Sequence, residues 1–116
     1  MAIGAVYARP DSGIETFAQL RGKALGIAGG QLDKSWLLLR AYAHRELGRD
    51  LIDEVEPTFA APPLLNQLLL RGDLPAALNY WHYAARLEAA GMSKVIAVTS
   101  TRLVPSRTMS SFRAAA

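Results

Sequence analysis

Hydrophobic positions fall in short blocks cut by glycine and proline, and their spacing alternates between strand-like runs and helix-like stripes. "AIGAVYAR" (2–9) is small and β-branched, which predicts a strand, and "PDSG" (10–13) breaks it. Phe17 and Leu20, three apart, predict a short helix stopped at Gly22. Ala24 to Ala28 contains no polar residue and reads as a buried strand. Asp33 is a good N-cap for a helix over 34–47, where Trp36, Leu39, Ala43 and Leu47 make one stripe, with Arg40 and His44 on the opposite flank and Gly48 as the stop. A strand follows within 54–59. Pro57 cannot donate to a ladder, so that strand belongs at a sheet edge. Pro62 and Pro63 open a helix carrying Leu64, Leu65, Leu68 and Leu69 and ending at Gly72. A strand to Tyr80, a helix closed by Gly91 and a strand over 95–99 complete the pattern.

Strands and helices that alternate with short loops predict an α/β layer structure with a mostly parallel sheet. In such a sheet the strand-to-helix junctions share one edge, where open α/β sheets bind ligands. The junctions are Gly29–Trp36, Ala60–Pro63 and Asn79–His82. Lys34 and the helix N-termini favour an anion there, while Tyr80, Trp81 and Tyr83 favour a flat organic group. Trp36 lies on its helix stripe and reads equally as core or rim; Trp81, between Tyr80 and His82, reads as rim.

Composition narrows the picture. At 116 residues, 51% hydrophobic and 20% charged, the chain is large enough for one domain with a core. It has no cysteine, which excludes disulfides and thiolate chemistry. The formal charge of +3 suggests nucleic acid, but its distribution does not. Lys/Arg and Asp/Glu balance over 1–100, and the excess comes from Arg102, Arg107 and Arg113. No apolar run is long enough to span a bilayer, and "MAIGAVYARPDSG" lacks the basic start and apolar stretch of a signal peptide. The expectation is no nucleic-acid binding and no membrane insertion.

Enzyme and cofactor motifs are not met. Gly26, Gly29 and Gly30 do not fit G-x-G-x-x-G, and Gly22-Lys23 lacks the rest of a phosphate-binding loop. Ser12, Ser35 and Ser93 sit in no nucleophile elbow. Asp53, Glu54 and Glu56 read as an exposed acidic entry to the edge strand. His44 reads as a solvated helix residue, and His82 as a helix-start residue that caps or faces a ligand; neither has companions at metal spacing. No catalytic residue, metal or cofactor is implied.

The stretches "GIETFAQLRGKALGIAGGQLDKSW" (13–36) and "APPLLNQLLLRGDLPAALNYWHYAARLEAAG" (61–91) resemble the second lobe of type II periplasmic solute-binding proteins. The likeness is to the nitrate/sulfonate/taurine-type group serving ABC importers, which also contains thiamine-precursor binders, and it covers roughly 3–99. It rests on "F-x-x-L-R-G-K" before a strand, a glycine turn into a helix, and "L-L-x-x-G-D-L-x-A-A-L" before an aromatic strand end. The resemblance implies a five-stranded, mostly parallel sheet in the order 54–59, 24–28, 75–80, 3–8, 95–99, with an antiparallel hinge strand at 3–8. It also implies ligand-facing positions at Gly30, Gln31, Asp33, Lys34, Ser35, Pro62, Asn79, Tyr80, Trp81 and His82.

On this reading residues 1–100 are a solute-binding lobe and 101–116 a weakly ordered tail or hinge remnant. The partners are a small organic or oxyanionic solute and, in the parent family, an ABC permease; the location is periplasmic in that family. Family members are longer, so the chain reads as a fragment or truncated product. The rivals are the effector domain of a transcription regulator and a cofactor-biosynthesis enzyme on the same fold. A lone lobe exposes its cleft face and an unblunted edge at 95–99, which predicts a homo-oligomer.

Overall fold

A computed structural model describes residues 2–99 and 103–105. Strands β1 (Ala2–Ala8), β2 (Ala24–Ala28), β3 (Glu56–Ala60), β4 (Ala76–Tyr80), β5 (Ser93–Thr99) and β6 (Leu103–Pro105) form one sheet in the order β3-β2-β4-β1-β5-β6. The helices are α1 (Lys34–Leu47), α2 (Pro62–Arg71) and α3 (Ala84–Ala89), with single 3-10 turns at Phe17–Leu20, Leu51–Asp53 and Trp81–Tyr83.

β2 pairs in parallel with both β3 and β4, whereas β1 runs antiparallel to β4 and β5. The five-strand order implied by the sequence is present, with Pro57 on the outermost strand. Two features differ from expectation. The sheet has a sixth strand, and the 95–99 strand is not an edge. Ile96, Ala97 and Val98 pair with Pro105, Val104 and Leu103, so part of the segment read as a tail completes the β5 ladder. The physical reason is that β5 presents a free row of backbone groups, and Leu103 gains apolar contact with the core as the ladder forms. Residues 100–102 and 106–116 lie outside the described residues.

Strand side chains alternate between two layers, as period-two geometry requires. Val6, Ala8, Leu25, Ile27, Ala76 and Leu78 join Trp36, Leu39 and Ala43 of α1 in the larger core. On the other face, Ala5, Tyr7 and Ala77 pack with Leu69 of α2 and Leu87 of α3. Trp36 is therefore core: it is fully buried, edge-on to Phe59 at 5.8 Å, and its indole N–H has no hydrogen-bond partner among the described residues. Glu54 also departs from its exposed reading, since its side chain is only 8% exposed and meets Arg21 and Arg49.

Candidate functional site at the carboxyl edge of the sheet

β2, β3 and β4 all end on one edge, and each passes directly into a turn and a helix. β2 leaves through Gly29, whose φ of 87° is a left-handed value. A Cβ there would stand 2.9 Å from the Tyr80 hydroxyl and 3.1 Å from Asp33 Oδ1. Glycine is needed at that position for conformation and for space. The Gly29 N–H donates to Ala60 O at 3.1 Å, which ties the ends of β2 and β3.

Asp33 caps α1 as its position suggests, with Oδ2 accepting from the Ser35 N–H at 3.0 Å. Its second oxygen accepts from the Tyr80 hydroxyl at 2.5 Å. The Asp33 bond is the main reason that the Tyr80 phenol is pushed up to about 12; burial and the carboxylate's charge add to it. One carboxylate thus latches the end of β4 to the start of α1.

A second clamp lies beneath. Asn79 Nδ2 donates to Pro62 O at 3.1 Å and to Asn66 Oδ1 at 2.9 Å, and Asn79 Oδ1 accepts from the Tyr80 N–H at 2.8 Å. Asn66 Nδ2 reaches Tyr83 O at 3.4 Å. Gly4 of β1 closes over this clamp, where a Cβ would lie 2.6 Å from Asn79 O. Both buried amides are satisfied by protein, as buried polar groups require.

Above the clamp stands an aromatic cluster. The Tyr80 and His82 rings stack at 6.0 Å with 15° between planes. Trp81 stands edge-on to His82 at 5.7 Å, and Tyr83 lies 4.6 Å from His82. Trp81 is 56% exposed. Neither its indole nor the His82 ring takes part in any described side-chain hydrogen bond. Of the exposed large hydrophobic residues among those described, Leu32 and Trp81 stand in the junctions, and Leu37 and Leu64 in the first turns of α1 and α2.

The expected ligand-facing positions divide by depth. Gly30, Gln31, Lys34, Trp81 and His82 are exposed; Asp33, Pro62 and Tyr80 are half-buried; Ser35 and Asn79 are buried. Two positions that sequence reasoning missed are Asn66 and Gly4. Asn66 had a signal: an amide beside Leu65 on a leucine-rich helix implies a buried polar partner. Lys34 is in no described ion pair and is the exposed cation nearest in sequence to the Asp33 latch.

Some of the backbone donors at the helix starts are occupied or missing. In α1 the Asp33 carboxylate occupies the cap. In α2 the first two residues, Pro62 and Pro63, carry no N–H. The six-residue α3 continues from a 3-10 turn, and the Ala84 N–H donates to Trp81 O.

Two cavities lined by described residues lie off the rim. One of about 600 Å³ sits at the opposite end of the sheet, lined by Arg9, Pro10, Gly13, Ile14, Glu15, Ser93 and Lys94. One of about 140 Å³ lies between α2 and α3, lined by Asn66, Leu70, Tyr83, Arg86 and their neighbours. The described residues hold no group of three or more His, Cys, Asp or Glu arranged for a metal, and no described helix is long and apolar enough to cross a membrane.

No family model and no curated protein matches the chain. Solved structures do. The periplasmic aliphatic sulphonate-binding protein SsuA of Escherichia coli is 21% identical, with TM-score 0.69 over 94% of this chain and 36% of that one. The alkanesulfonate-binding protein SsuA of Xanthomonas axonopodis pv. citri, bound to MOPS, is 16% identical, with TM-score 0.73 over 94% of this chain and 39% of that one. An ancestral arginine-binding protein bound to arginine is 18% identical, with TM-score 0.58 over 97% of this chain and 51% of that one. The chain shares the fold of these binding proteins and spans between about a third and a half of their length.

Proposed function

We propose that residues 1–100 are one lobe of the solute-binding component of an ABC-type importer, working in the periplasm with a permease and doing no chemistry on its cargo. Binding would be closure of a second face onto the carboxyl edge of the sheet, with the solute held between. The observation that carries this reading is the rim itself. Exposed Trp81 and His82 stand on a hydrogen-bonded base of Asn79, Asn66, Asp33 and Tyr80, so a firm floor presents rings that take part in no described side-chain hydrogen bond. The fold match to proteins solved with bound MOPS and bound arginine supports it. The ten rim positions named from sequence are the proposed contact zone, with Ser35, Asn79 and Pro62 supporting the groups that touch the solute.

The proposed assembly is a homodimer. Pro57 and Pro105 sit on the two outermost strands, where each removes a backbone donor and blunts edge-to-edge pairing. The function is tested by a thermal-shift screen of anions and heterocycles on the chain and on its Trp81→Ala variant. A solute that raises Tm of the first and not of the second is expected; a screen without any stabilising solute contradicts the reading.

A further inference from the structure

The rim selects for a chemical class of solute, an inference that rests on the solute-binding reading above. An oxyanion such as a sulfonate is held by convergent N–H donors and cations in a site without competing negative charge. On the described rim a carboxylate stands among the groups that would have to converge on such an anion. The α1 cap is filled by Asp33, whose two oxygens accept from the Ser35 N–H and the Tyr80 hydroxyl. The α2 start offers two prolines. Lys34 adjoins Asp33 in sequence, so the two opposite charges leave little net field for an ion.

What the rim does offer is ring surface. Tyr80 and His82 are already stacked, which fixes the plane of the imidazole, and the neighbouring Trp81 indole is 56% exposed. The Tyr80 hydroxyl and the Asn79 amide are bonded within the protein. Contact through ring faces therefore replaces hydrogen-bond readout, and a flat solute gains by covering Trp81. We propose that this face seats a flat, uncharged aromatic or heteroaromatic ring and discriminates against anionic solutes, alkyl sulfonates included.

A matched series tests this by amide and indole NMR titration of the chain, which detects weak binding. Benzamide, benzoate, benzamidine and cyclohexanecarboxamide vary charge and aromaticity at nearly constant size, and hexanesulfonate stands for the sulfonate class. Benzamide is expected to bind about tenfold more tightly than cyclohexanecarboxamide, the order of one good ring contact. It should also exceed benzoate, benzamidine and hexanesulfonate. Trp81→Ala should abolish the preference for benzamide and Trp81→Phe should retain most of it. Asp33→Asn, which keeps a good cap and removes the charge, should strengthen benzoate binding severalfold. Tighter binding of hexanesulfonate or benzoate at Trp81, or of benzamidine, would overturn the class and leave solute binding standing. Absence of rim shifts with every probe would overturn both.

Discussion

The two ends of the sheet are finished differently. At the end where the parallel strands begin, the connections are laced with ion pairs: Arg9 with Asp11, Arg21 and Arg49 with Glu54, Arg71 with Asp73, Lys94 with Glu88. Arg9 also donates to the Leu69 and Leu70 carbonyls and so closes the last turn of α2. At the other end Asn79 bonds to Asn66 and Tyr80 to Asp33 within the protein, and Trp81 stands exposed outside them. An end whose polar groups are paired at its surface needs nothing more; an end that pairs them beneath a layer of exposed aromatics presents those rings to something else. That contrast, more than cavity volume, is the ground for the proposed site, since the larger of the two cavities described lies at the ion-paired end.

The two tryptophans sharpen the contrast most. Trp36→Ala empties a fully buried site and should cost about 3–5 kcal/mol of stability by denaturant unfolding. Trp81→Ala should cost within about 0.5 kcal/mol. A similar cost for both would show that the rim is core.

Next in size is the clamp beneath the rim. Asn79→Ala leaves Asn66 Oδ1 and Pro62 O without their described donor and should cost about 2 kcal/mol. Gly29→Ala should cost about 1–2 kcal/mol for its left-handed backbone and should also loosen the Tyr80–Asp33 bond. An unchanged Tm in either variant would break the picture of a rigid floor.

The latch has a pH signature. The Tyr80 phenol titrates near 12 in the folded chain, against an ordinary value of 10. The folded state thus holds this proton where the unfolded state has lost it. Its contribution to stability is complete below pH 10 and fades as pH rises from 10 to 12. Tyr7 and Tyr42 are also raised, so the expected reading is a difference: wild type loses more stability over that interval than Tyr80→Phe does. Equal alkaline profiles would remove the latch from the account.

The smallest effect belongs to the opposite end. Arg71→Ala breaks an exposed pair with Asp73 and should change stability by less than about 0.5 kcal/mol. A larger loss would mean that the ion-paired end is the more demanding one.

The fold was legible because its strands and helices are signalled by hydrophobic period, and Pro57 marked its strand as an edge. The stripe with Leu39 and Ala43 left Trp36 open between core and rim, and only its burial against Phe59 decides it. Trp81, among polar aromatics, is exposed as its context suggested. β6 was not legible, since three residues carry too little period to stand out and their pairing is decided by the free edge of β5. The Asn79–Asn66 clamp was hidden for another reason. It joins residues thirteen apart on a strand and a helix, and only the packing of α2 on the sheet brings them together. The features that bear on an anion at the helix starts, the prolines at 62 and 63 and the carboxylate at 33, were visible in the chain.

The central claim is that solute meets this chain at the carboxyl edge of the sheet. The most direct measurement is a residue-resolved map of amide and indole NMR shifts as a stabilising solute from the thermal screen is added. The account predicts shifts confined to Gly29–Lys34, Pro62–Leu64 and Tyr80–Tyr83, with the Trp81 indole moving and the Trp36 indole still. Shifts centred on Arg9, Glu15 and Lys94 at the opposite end would contradict it.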